Sequence, residues 1–249
     1  FQYRTGEYAA ALNTLQAVLN DDRLPEADRR YALRLKCVVL GETNRFREAR
    51  RAYLEAIALA QAAGDVEEEL FNRQNLAITV LAPLGEFAEA AAHMQIALDH
   101  YVDLPGLRVR ALHMLCDLHL YTGDWEALER AQDEIAALTQ SVESIEAGDQ
   151  VWPSFYCAVI ATGRGDLNTA RLLLDKFRQT ARRTPVVEIS AAWLDCWLLR
   201  RERRYAEMID RAEAVLAGDH PVPFFRAQIA LWRDVARWSL AAPHDPPLD

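Results

Sequence analysis

From Arg110 to Ile135 the apolar positions fall at helical spacing twice over. Leu112, Leu115, Leu118 and Leu120 make one stripe, which runs up to Thr122-Gly123-Asp124-Trp125; Leu128, Ala131 and Ile135 resume it beyond. Helical periodicity on both sides of a short polar turn predicts two helices folded back as a hairpin. Gly123 suits the left-handed residue that closes the first helix, Asp124 suits the first turn of the second, and Trp125 is placed to wedge between them.

The same grammar recurs along the chain. An aromatic or leucine follows a tight polar turn at Tyr8, Phe46, Phe87, Trp125, Leu167 and Tyr205, at intervals of 38, 41, 38, 42 and 38 residues. The turns read Gly6-Glu7, Asn44-Arg45, Gly85-Glu86, Gly123-Asp124 and Gly165-Asp166, while Arg203-Arg204 lacks a glycine. Three residues past each marker come Ala11, Ala49, Ala90, Leu128, Ala170 and Met208, four of them alanine, which lets helices cross closely. Leu24-Pro25, Leu104-Pro105-Gly106 and Thr184-Pro185 place proline where a helix opens without losing a hydrogen bond.

A helical repeat of this length cannot bury its apolar face alone, so neighbours must stack. The prediction is an all-α fold: a right-handed α–α superhelix of about six hairpins forming a single domain over 1–242. Its units lie near 1–22, 25–63, 66–103, 105–142, 146–183 and 185–218, with a capping helix over 224–240 and a Pro-rich tail or linker at 243–249. Pro83 is expected to kink the end of its helix. The run Ser141 to Asp149 is the longest connector, or a helix extension, and the expected hinge.

A first helix, then Gly-Asp/Glu-aromatic, then alanine three residues on, resembles the tetratricopeptide repeat over nearly the whole chain. The usual unit has about 34 residues, so intervals of 38 to 42 imply longer helices or connectors. Stretches such as Ala60-Gln61-Ala62-Ala63-Gly64-Asp65 resemble the arrays of large LuxR-type and maltose-regulator-type transcription activators, and also those of antibiotic-regulatory activators and kinesin light chains. The resemblance implies the sensory or interaction module of a larger cytoplasmic, bacterial transcriptional regulator, with any DNA-binding or nucleotide-switch domain outside this segment. The opening Phe1-Gln2-Tyr3-Arg4, without an initiator methionine or signal pattern, is read as the start of an excised piece.

Composition narrows the partners. A formal charge of −9 and a pI near 5.2 give no electrostatic footprint for nucleic acid, and no apolar run is long enough to span a bilayer. Cys37, Cys116 and Cys196 each lie nine residues before their unit's marker; Cys157 lies ten before, with Ala158 in the equivalent place. That periodicity makes them small packing residues of the first helix. Equivalent sites in stacked units lie about 10 Å apart, too far for a disulfide, so a reducing compartment is expected.

Catalytic chemistry finds no motif. His113 and Asp117 share a helical face, but His119 points elsewhere and no Glu completes a zinc helix; Thr162-Gly163-Arg164-Gly165-Asp166 is a hairpin turn, not a phosphate loop. Glu67-Glu68-Glu69 is read as a solvated helix entrance, and the arginine runs as solvated faces, with Arg200 to Arg204 the densest. No catalytic residue, metal or cofactor is assigned.

In tetratricopeptide arrays the first helix of each unit lines a concave groove. By that resemblance Arg34, Asn75, Arg110, His113, Asp117, Tyr121, Trp152, Phe155, Trp193, Trp197 and Arg200 are the candidate partner-binding residues. The tryptophans of the C-terminal half are read either as groove or as core. The expected partner is a protein or peptide, or a small-molecule effector, with no direct nucleic-acid or membrane contact and with homo-oligomers compatible. The alternatives are a structural self-assembly module and an enzyme using the His113/Asp117 pair.

Overall fold

The computed structural model describes residues 7–141, 152–181, 184–218 and 223–241, and these are helical throughout, with no strand among them. The chain forms two compact units, Phe1–Ile145 and Glu146–Asp249. The boundary falls in the connector read as a hinge; its residues 142–149, the Gly6 turn position and the tail at 243–249 lie outside the described residues.

The first unit contains α1 (Tyr8–Leu19), α2 (Glu26–Glu42), α3 (Phe46–Ala63), α4 (Val66–Leu76), α5 (Phe87–His100), α6 (Pro105–Thr122) and α7 (Trp125–Ser141). The second contains α8 (Trp152–Arg164), α9 (Leu167–Thr180), α10 (Pro185–Arg201), α11 (Tyr205–Leu216) and α12 (Pro223–Ala241). Within each unit, successive helices pack on one another, and α2–α3, α4–α5, α6–α7, α8–α9 and α10–α11 are the hairpins expected from the spacing. A second series of contacts joins every other helix: α2 and α6 both meet the π turn that continues α4, while α10 meets α8 and α12.

The hairpin turn has a single stereochemical solution. Two residues before each second helix the backbone is left-handed: φ is 61° at Asn44, 78° at Gly85, 70° at Gly123, 83° at Gly165 and 60° at Arg203. The next N–H reaches back five residues to the end of the first helix, Arg45 to Leu40, Glu86 to Leu81, Asp124 to His119, Asp166 to Ala161 and Arg204 to Leu199, all at 2.9–3.1 Å. These bonds satisfy carbonyls that a helix end otherwise leaves open, and they reverse the chain within two residues. The Asp124 carboxylate accepts from Ala127 N at 3.0 Å and that of Asp166 from Thr169 N at 3.2 Å, holding the start of α7 and α9.

Beyond the turn, Ala11, Ala49, Ala90, Leu128, Ala170 and Met208 are all buried, as their register requires. Cys37, Cys116 and Cys196 are buried in the facing helices, Ala158 fills the fourth such place while Cys157 turns half outward, and none of the four is in a disulfide. Burial pushes the thiols of Cys37 and Cys196 up to about 12, keeping them neutral and unreactive. Trp125 departs from expectation: it is 42% exposed, while Ala127 and Leu128 next along α7 are buried.

Arginine fastens the connectors. Arg29 of α2 donates to the Leu19 and Asp21 carbonyls at 2.6 and 2.8 Å, Arg108 of α6 to the Leu98 carbonyl at 2.9 Å, and Arg226 of α12 to the Gly218 carbonyl. Each guanidinium sits three or four residues past the proline that opens its helix and meets the negative end of the helix before it.

At Pro83 the helix end departs from regular α geometry. The proline ring lacks an N–H and crowds the carbonyl four residues back, so the helix widens into a π turn, Ala77–Leu81, with Ala82 N bonded to Ala77 O at 2.9 Å. The widened turn brings Thr79 against α2, where a Cβ on Gly41 would lie 2.9 Å from Thr79 Oγ1 and 3.0 Å from its Cβ. Any larger residue at that crossing would require Thr79 or the helices to shift.

Two predictions follow from this geometry, both read by urea denaturation. Arg203→Gly removes side-chain strain from a left-handed residue and should stabilise the protein by about 1 kcal/mol; an unchanged or lowered midpoint would contradict that reading of the turn. Gly41→Ala should lose about 1–2 kcal/mol, since overlap with Thr79 outweighs alanine's helix preference. Gly106→Ala, with nothing within 4 Å of its new Cβ, should be neutral or mildly stabilising, and equal effects at the two sites would sink the close-crossing account.

Candidate functional site

Of the candidate residues, Arg34, Asn75, Arg110, His113, Asp117 and Tyr121 lie in the first unit, and Trp152, Phe155, Trp193, Trp197 and Arg200 in the second. Each set is described within its own unit.

On α2 and α4 the first set forms a preorganised surface. The Arg34 guanidinium lies 4.8 Å from the ring centroids of both Tyr31 and Phe71, while its Nη1 donates to Glu68 Oε2 at 2.9 Å. A cation held between two rings and neutralised by a half-buried carboxylate is fixed in place. Tyr31 is 54% exposed, so its outer face is free for contact. Asn75 Nδ2 donates to its own helix at the Phe71 carbonyl, 2.8 Å away, and steadies the backbone ahead of the π turn.

Tyr31, Glu68 and Phe71 were missed by sequence reasoning. Tyr31 was findable, because it stands one turn before Arg34. Phe71 and Glu68 belong to another helix, and their meeting with Arg34 depends on inter-helix register. Glu67 alone matches the solvated-entrance reading. Glu68 pairs across to α2, and Glu69 holds Arg73 at 2.7 Å and accepts from Gln61.

Along α6, Arg110, Asp117 and Tyr121 are half-buried and His113 is buried. Desolvation, and then the Asp117 charge, push the Tyr121 hydroxyl up, so it stays protonated. Burial pushes His113 down to about 4, which makes it a neutral core imidazole at neutral pH. His113 is thus inside the unit, and Asp117, one turn on along the same helix, is half-buried. Among the described residues no group of three or more His, Cys, Asp or Glu is placed to hold a metal ion.

Two of the five residues of the second set are core. Phe155 is fully buried and Trp193 is 4% exposed. Phe155 meets the rings of Trp152, Tyr156, Phe177, Trp193 and Phe225 at 5.3–6.4 Å, and Trp193 stacks on Phe225 and Trp232 at 4.9 and 5.8 Å. The Trp193 indole N–H donates to Gln228 Oε1. Phe155 and Trp193 thus pack the second unit instead of presenting to a partner. Trp152, Trp197 and Arg200 remain half-exposed, and the far edge of the Trp197 ring covers Gly163 at 3.7 Å from where a Cβ would stand.

Several arginines, inside and outside the clusters, link helices. Arg50 of α3 holds Glu86 and Glu89 at 2.7 Å each, Arg108 reaches Glu134, and Arg171 of α9 holds Glu202, which also pairs with Arg204. Arg182 and Arg183 lie outside the described residues. No helix among those described is long and apolar enough to cross a membrane. Comparison with protein-family models and with curated proteins gives no match for this chain.

Buried neutral His113 ties stability to pH. Its folded pKa lies below the ordinary 6.5, so the unfolded chain takes up a proton first; its contribution is complete above about 6.5 and is lost as pH falls toward 4. Between pH 7 and 4.5 the His113→Leu variant should lose about 2 kcal/mol less stability than the parent. Denaturation curves at the two pH values measure this, and parallel losses in parent and variant would refute it.

Proposed function

We propose that this chain is a non-catalytic binding module of the tetratricopeptide type, a right-handed superhelical stack of hairpins that holds a protein or peptide on the face of its first helices. The supporting observation is the shared turn: a left-handed residue, then the second-helix start two positions on, then a buried small or apolar residue three positions further. Contacts between every other helix are those that stacked units need. On this reading α12 closes the series, and the module serves as the sensory or interaction part of a larger cytoplasmic bacterial regulator, with DNA contact left to another domain.

The contact surface is carried by Tyr31, Arg34 and Phe71, with Asn75, Arg110, Asp117 and Tyr121 beside them. Aromatic and arginine side chains held rigidly in advance lose little entropy on binding, and such residues dominate recognition energy. Phe155 and Trp193 take no part. His113 acts from within the core.

Peptides selected from a displayed random library on the whole chain provide the test. Tyr31→Ala and Asp117→Ala should each weaken the selected peptides about tenfold, whereas Leu54→Ala and Leu172→Ala, exposed on second helices, should not. Loss of binding only in the second-helix variants would place recognition elsewhere. Sedimentation of the parent addresses self-assembly through Leu231 and Trp238, which are exposed on α12. An oligomer dissociated by Trp238→Glu, with no peptide selected, would favour assembly over recognition.

A further inference from the structure

A cleft of about 440 Å³ opens in the second unit among α9, α10 and α11. Its apolar floor is Ala181, Val187, Ala191 and Val215, and Arg178 and Arg211 stand over it. Both guanidiniums converge on a single oxygen, Asp195 Oδ2: Arg178 donates to it, and Arg211 Nε lies 3.2 Å away. Asp195 is mostly covered, so it fixes the two cations from behind.

Arg211 is incompletely satisfied. Its Nε is buried without a hydrogen bond, the angle to Asp195 being wrong for one, and its terminal nitrogens make none with the described residues. An arginine whose terminal nitrogens make no hydrogen bond with the described residues is suited to a planar two-oxygen acceptor.

Charge selects the class of acceptor. Asp195 faces both guanidiniums, Arg178 also lies 3.6 Å from Asp175, and Glu188 stands at the rim, so the cleft carries no surplus to neutralise a dianion. A monoanion needs only the local guanidinium. The floor offers no polar side chain, so whatever is attached to the anion must be apolar and short enough for the volume.

We infer that this cleft binds a monocarboxylate bearing a short branched apolar tail, with the carboxylate paired to the outer edge of Arg211 and the tail on Val187, Ala191 and Val215. The carboxylate is supplied either by a free acid or by the C-terminus of a peptide ending in a small aliphatic residue. This site stands apart from the surface of Tyr31 and Arg34 and does not depend on a peptide binding there.

The test is a titration of the full chain at pH 7, followed by NMR amide shifts, using 4-methylpentanoate as probe and 4-methylpentanamide and inorganic phosphate as controls. Saturable shifts confined to α9, α10 and α11, with a dissociation constant of about 1 mM and no response to the amide, are expected. Arg211→Gln should weaken binding at least about tenfold. Ala214→Trp, at an exposed position on the cleft wall, should block it while leaving the charges in place. Circular dichroism and melting establish that both variants are folded.

N-acetylglycylvaline distinguishes the sources. Tighter binding than 4-methylpentanoate identifies a peptide C-terminus, weaker binding a free acid, and either supports the site. No saturable shift at these helices with either carboxylate up to about 20 mM, an equal response to the amide, stronger binding of phosphate, or undiminished affinity in folded Arg211→Gln would each overturn the inference.

Discussion

Every hairpin depends on one backbone constraint: the chain must leave a first helix through a left-handed residue and re-enter helix two positions later. That geometry sets the antiparallel direction of the second helix and satisfies the carbonyls at the end of the first. It also fixes which residue of the second helix faces inward three positions on, where alanine, leucine or methionine is buried. Glycine occupies the left-handed position at Gly85, Gly123 and Gly165, but the geometry survives at Asn44 and Arg203. The fold requires the conformation, and tertiary packing holds it where the residue is not the easiest choice.

Given that turn, helices cross closely enough that a side chain on one reaches the backbone end of another. Arg29, Arg108 and Arg226 exploit this, each bonding carbonyls at the close of the preceding helix. Such bonds satisfy groups that would otherwise need water, and they place a positive charge against a negative helix end. Arg50, spanning Glu86 and Glu89, links α3 to α5 across almost one repeat length. Exposed ion pairs contribute little individually; their weight here lies in setting which helix lies beside which. At Gly41 and Thr79 the setting is steric, and there the π turn forced by Pro83 supplies a crossing that an ordinary helix would not.

The hairpins were legible in the sequence because local rules govern them. Six marker residues begin six second helices, and the proline connectors open α2, α6 and α10 as read. Cys37, Cys116 and Cys196 fell where spacing put them. The candidate surface was harder to read, since it is set by register between helices. Counting back from a turn locates Arg34 on α2 but cannot say that Phe71, 37 positions later, lies over its guanidinium. The same counting put Phe155 and Trp193 beside partner-facing residues, although α8 and α10 are apolar around much of their circumference and bury what a surface helix would expose. Trp125 failed for the converse reason: it begins α7 as expected but is exposed, and the buried positions nearest it on that helix are Ala127 and Leu128.

The scarcity of lysine acquires meaning only in three dimensions. With Lys36 and Lys176 the only lysines, nearly all the positive charge is guanidinium, a bias that carries no functional signal when read along the chain. In the fold, Arg34 is held between two rings while bonded to a carboxylate, Arg108 serves a carboxylate and a carbonyl together, and Arg50 serves two carboxylates. Each role uses the planar shape and divergent N–H groups of arginine, and an ammonium could fill only part of it. At Arg211, Nε faces Asp195 while the terminal nitrogens make no hydrogen bond with the described residues. A net charge of −9 says nothing of this, because recognition depends on where a guanidinium is immobilised and which of its edges is already occupied.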